Sequence, residues 1–158
     1  MHGSLASVRE LLDGLNGLAD KGTCEIAVCP VSVHLHACAQ QLGAENALGL
    51  GAQNVSEAKS GALTGEVSAA MLAELGLKFV LVGHSERREI FAESDDLVAA
   101  KAAAVLASGL TPVVCVGESL AQRQAGDTEA VVLGQLNAVI QHLSASELEQ
   151  CVVAYEPV

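Results

Sequence analysis

Apolar residues along this chain follow two different periods. Leu5, Val8, Leu11, Leu12, Leu15 and Leu18 recur three or four positions apart, which predicts a helix with one apolar face. Ser7 and Glu10 have the spacing of a capping box, and Gly22 ends the pattern. Short continuous apolar runs then appear at 25–29, 47–51, 78–82, 112–116 and 151–155 and read as buried strands. Helical periodicity fills the gaps at 33–42, 66–75, 95–107 and 128–143, with Gly43, Gly76 and Gly109 at C′ positions and Ser94 at an N-cap.

Strict alternation of strands and helices predicts an α/β fold with a parallel sheet and right-handed crossovers, either an open doubly wound sheet or a (β/α) barrel. The polar residues favour the barrel. Asn54, His84, Glu118 and Glu156 all fall just after strands, so a parallel arrangement gathers them at one carboxyl-end face. No G-x-G-x-x-G or Walker fingerprint follows any strand, which counts against a dinucleotide sheet. The chain opens on a helix and stops on a strand, and a complete eight-stranded barrel takes about 250 residues. The expectation is therefore a partial (β/α)8 barrel, five parallel strands with outer helices, in which residues 1–158 are a single incomplete domain.

Composition narrows the partners. The chain has 158 residues, 51% of them hydrophobic, and a mean hydropathy of +0.40, enough to bury a sizeable core. A net charge of −11 argues against nucleic acid and anionic membranes, while leaving room for a small anion bound locally at a helix N-terminus. There is no run of about 18 apolar residues and no signal-peptide pattern in Met1-His2-Gly3-Ser4, so a cytoplasmic location is expected. The five cysteines lack C-x-x-C spacing and read as reduced, mostly buried thiols. His34, His36 and Cys38 have no second ligand cluster to make a metal site with, so no metal is expected.

Two strand exits carry the candidate chemistry. The run at 78–82 leads straight into Gly83-His84-Ser85 and a helix start, where backbone N–H groups favour a neutral imidazole able to donate a hydrogen bond to a substrate oxygen. A histidine that merely caps the helix is the other reading. At 151–155 the strand ends on Glu156-Pro157, and the proline restricts Glu156 to extended backbone, presenting a carboxylate suited to general base catalysis. A solvated carboxylate at a strand exit is the alternative.

Five blocks together resemble the triosephosphate isomerase family: Gly51-Ala52-Gln53-Asn54, the segment from Ser60 to Glu66, Gly83-His84-Ser85-Glu86-Arg87-Arg88, Cys115-Val116-Gly117-Glu118 and Ala154-Tyr155-Glu156-Pro157-Val158. The resemblance implies that Glu156 is the general base and His84 a neutral electrophile, interconverting dihydroxyacetone phosphate and glyceraldehyde 3-phosphate without cofactor or metal. It implies further that Ser85 is the resting partner of the base and that Glu86 orients a lysine, with Asn54 in support. Thr64, Gly65 and Glu66 resemble the loop that inserts into a partner subunit of a homodimer, and Arg87 an interface ion-pair residue. Cys115 matches a buried packing cysteine.

The same resemblance marks departures. Met1-His2-Gly3 looks like the tail of the family's first-strand Asn-x-Lys motif, which puts the lysine before residue 1, and the chain stops ahead of the family's lid and its last two strands with their phosphate cup. The sequence therefore reads as an interior piece, expected by itself to be catalytically inactive and to associate through open strand edges. Two functional readings remain: an isomerase whose activity belongs to a complete chain, or a non-catalytic partial barrel that serves as a binding or assembly module.

Overall fold

The computed structural model describes residues 1–19, 23–43 and 47–158. Its strands are β1 (Ala27–Val28), β2 (Gly49–Ala52), β3 (Phe79–Val82), β4 (Thr111–Val116) and β5 (Val152–Tyr155). All four neighbouring pairs are parallel and the order is β1-β2-β3-β4-β5. Every strand lies beside the one before it, which is the progression of a barrel wall.

The helices are α1 (Leu5–Ala19), α2 (Leu35–Leu42), α3 (Ala69–Glu74), α4 (Ser85–Phe91), α5 (Asp95–Ala107), α6 (Leu120–Ala125), α7 (Thr128–His142) and α8 (Ala145–Leu148), with a 3-10 turn at Ser32–His34. α5 packs on β3 and β4 and against α7. Val80 and Val82 of β3, Val98 and Val105 of α5, and Val114 and Val116 of β4 form the centre of the core, each at most 1% exposed. Burial of each such side chain contributes about 1.5–3 kcal/mol. Phe79 and Leu81, on the opposite face of β3, are only partly buried, as are the alternate positions of β4 at Thr111 and Val113. At the sheet's edge Val152, Val153 and Tyr155 of β5 are exposed.

Local chemistry moves several expected boundaries. α1 is capped one turn earlier than the Ser7 and Glu10 spacing implies: Ser4 Oγ accepts the Ser7 N–H, and Ser7 Oγ accepts the Ser4 N–H. Gly22, the expected stop, lies outside the described residues. α3 begins at Ala69 rather than 66, because Ser68 is its N-cap and takes the Met71 N–H. β1 keeps two paired residues of the five expected at 25–29. Cys24 is exposed, against the expectation of burial, whereas Cys38 and Cys115 are buried and all five thiols are free. Among the described residues no helix is long and apolar enough to cross a membrane.

Candidate active site

The junction after β3 is made by Gly83, whose φ of +73 suits glycine and whose added Cβ would stand 2.7 Å from Val98 Cγ1. His84 follows as the N-cap of α4. Its Nδ1 accepts the Glu86 N–H at 3.3 Å. A ring nitrogen that accepts carries no hydrogen, so in the neutral ring the proton sits on Nε2. That atom lies 2.7 Å from Glu156 Oε1.

Glu156 arrives from β5, on the far side of β4 from His84. Its own N–H donates to the Val116 carbonyl at 2.9 Å, extending the β4–β5 ladder one residue beyond Tyr155. Its second carboxylate oxygen accepts the Ser85 N–H at 2.8 Å. The carboxylate is thus held by an imidazole and a backbone amide from the same turn, while both side chains stay open to solvent, His84 at 34% and Glu156 at 25%. Arg88 supports this turn from below: its Nε donates to the Gly83 carbonyl at 2.7 Å and its Nη1 to Asp95.

The other sequence-selected residues fall into separate groups. Glu86 meets His84 through its backbone, and its carboxylate stands 3.8 Å from Nδ1, beyond a hydrogen bond. Asn54, after β2, accepts Lys101 Nζ at 2.9 Å through Oδ1. Lys101 also donates to Glu93, whose Oε1 takes Arg87 Nε at 2.6 Å as well. Arg87 in addition lies over the Phe91 ring, 4.7 Å from its centroid. Thr64, Gly65 and Glu66 form an exposed turn between β2 and α3, closed by the Glu66 N–H on the Leu63 carbonyl. Glu118, beyond β4, is buried and accepts the Tyr155 hydroxyl at 3.0 Å and the Thr128 hydroxyl at 3.3 Å.

Electrostatics distinguish these groups. Burial pushes the Glu93 carboxyl up, but hydrogen bonds and charge from Lys101 and Arg87 outweigh it and hold the group below its ordinary value. Glu118 is likewise raised by desolvation and brought down overall, by a hydrogen bond at its own backbone, the Tyr155 and Thr128 hydroxyls and the charge of Arg123. Burial pushes the Cys115 thiol up to about 11, with the Glu156 charge adding to the effect and Arg88 opposing it, which leaves an inert thiol.

Sequence reasoning missed Glu93 and Lys101. A signal existed, because Lys101 is the single cation of an α5 otherwise rich in alanine and valine, and a lysine buried there needs a counter-charge.

A sequence profile of the triosephosphate isomerase family matches residues 1–158. Among curated relatives, the triosephosphate isomerase of Thiobacillus denitrificans is 54% identical over 158 residues, covering 100% of this chain and 62% of the relative. That of Cupriavidus necator is 52% identical over 158 residues, with 100% and 63% covered. That of Albidiferax ferrireducens is 51% identical over 158 residues, again with 100% and 63% covered. The chain spans about 63% of the length of such relatives. With consecutive parallel strands forming part of a (β/α)8 barrel and a profile match along all 158 residues, the chain belongs to the triosephosphate isomerase family.

Proposed function

We propose that the protein carrying this sequence interconverts dihydroxyacetone phosphate and glyceraldehyde 3-phosphate, with Glu156 as general base and His84 as neutral electrophile. The observation that carries this reading is the 2.7 Å approach of His84 Nε2 to Glu156 Oε1 at the carboxyl ends of β3 and β5. In the reaction Glu156 takes a proton from the carbon beside the carbonyl and returns it to the neighbouring carbon. His84 Nε2–H stabilises the enediolate oxygens, and its Nδ1 is held by the Glu86 N–H so that the donating tautomer faces the site. Redox state does not change overall, so the chemistry asks for no cofactor.

In this reading Ser85 N–H holds the base when substrate is absent and releases it when a triose carbon takes the place between His84 and Glu156. Residues 1–158 act as one incomplete barrel domain. The exposed turn of Thr64, Gly65 and Glu66, together with Arg87, serves a homodimer, and the protein works in the cytoplasm. Asn54, held by Lys101, supports the strand edge that carries the site and touches neither His84 nor Glu156.

The test is an isomerase assay of the full-length protein and its His84→Gln variant, with thermal unfolding measured alongside. Turnover falls by about 100-fold or more, because an amide cannot move protons as imidazole does, while stability changes by less than about 1 kcal/mol. Near-normal turnover in the variant removes His84 from the mechanism.

A further inference from the structure

Gln135, on α7 behind the sheet, spends its whole side-chain amide on one residue. Its Oε1 accepts the Gly117 N–H at 2.9 Å and its Nε2 donates to the Gly117 carbonyl at 2.9 Å. That pattern reproduces a rung of sheet ladder, at a point where β4 has run past its last pair with β3, Val82 with Val114. Gly117 in turn abuts Glu156. A Cβ on Gly117 would stand 2.6 Å from the Glu156 carbonyl oxygen and 3.4 Å from the Glu156 Cβ, so only glycine lets the two backbones approach this closely. The preceding residue, Val116, holds the Glu156 N–H.

We propose that Gln135 is a positioning residue for Glu156, acting through the backbone of Gly117. The inference rests on the reading of Glu156 as the base. β4 is already paired on both flanks without Gln135, and Gly117 is only partly buried, so water can replace the amide at little cost in stability. What water cannot replace is direction. Two bonds from one planar amide fix both peptide planes that flank the Gly117 Cα, and the Glu156 backbone rests against that Cα. Turning those planes displaces the carboxylate relative to His84 and to the carbon from which a proton is taken.

The experiment uses the full-length protein with Gln135→Met, which removes both bonds, and Gln135→Glu, whose carboxylate can accept the Gly117 N–H but cannot donate to its carbonyl. Gln141→Met, on the exposed side of α7, is the control. Steady-state kinetics are read together with the proton NMR resonance of His84 Nε2–H in the unliganded protein. A misplacement on the scale of 1 Å lowers kcat by about 10- to 100-fold, with KM within about twofold. The resonance moves or broadens in both Gln135 variants and stays put in the control. A kcat within about twofold of wild type in both, or an unmoved resonance, overturns the inference. Loss of the folded state in both variants overturns it equally, by assigning Gln135 to the fold. A wild type without isomerase activity would fail the functional reading instead, and the resonance would still judge Gln135.

Discussion

Glu93 and Glu156 are the same side chain in opposite settings. The Glu93 side chain is 4% exposed and faces two cations, Lys101 and Arg87, both on its Oε1. Its Oε2 is buried with no hydrogen-bond partner among the described residues. The Glu156 side chain is 25% exposed and faces a histidine ring and a backbone amide. Cations around a buried carboxylate stabilise its charge and oppose its taking up a proton. At Glu156 an imidazole and a backbone amide take the place of two permanent cations and fix the direction of a partly open carboxylate. The fold thus keeps a carboxylate that ties α4 and α5 together apart from the one to which the proposed function gives the proton transfer.

The sharpest way to break this contrast is to neutralise each carboxylate with its isosteric amide. On the proposed function Glu156→Gln removes the base, and turnover of the full-length protein is expected to fall by roughly 1,000-fold or more. Its carbonyl oxygen can still accept from His84 or Ser85, so unfolding free energy changes by less than about 1 kcal/mol. Kinetics and chemical denaturation on the same preparation check both halves. A folded Glu156→Gln variant with full activity would remove this glutamate from the mechanism.

Glu93→Gln has the opposite signature. It leaves Lys101, itself 3% exposed, and Arg87 facing a neutral amide. Removing one partner from a buried ion pair costs about 3–5 kcal/mol. Turnover per folded molecule stays near wild type, since the Glu93 carboxylate bonds to Lys101 and Arg87 and to neither His84 nor Glu156. Denaturant midpoints with activity normalised to the folded fraction decide it. If this variant is as stable as wild type yet inactive, the contrast collapses.

The two sites also differ in how far sequence could reach them. Strand exits are local: an apolar run followed by Gly83-His84 or Glu156-Pro157 fixes where a polar side chain begins, and parallel pairing carries both exits to one edge. The pairing of Glu93 with Lys101 and Arg87 depends on how α4 turns into α5. Ala92 makes that turn in the left-handed region, at φ 53, which nothing in the local composition signals. The α1 cap was displaced for a similar reason, since Ser4 and Ser7 compete with Ser7 and Glu10 and the serine pair wins by bonding in both directions. The short helices α6 and α8 lack the length for a periodic signal; their capping boxes at Ser119 with Gln122 and at Ser144 with Glu147 mark them instead.

The smallest expected effect sharpens the comparison through pH. Glu93 has its pKa lowered from the ordinary 4.5, desolvation having been outweighed by Lys101 and Arg87. An unfolded chain therefore takes up this proton first as pH falls. Its contribution to stability is fully present above the unfolded value and is lost as pH drops through the lower folded value. Glu118 and Glu147 are lowered too, so they add slope of the same sign, and wild type alone cannot apportion it. The difference between wild type and Glu93→Gln can. Urea midpoints measured from about pH 6 to about pH 3 should fall more steeply for wild type, and the gap between the two proteins should narrow toward acid. Parallel curves would mean that Glu93 gains nothing from its cations on folding, and the distinction between the two glutamates would then rest on geometry alone.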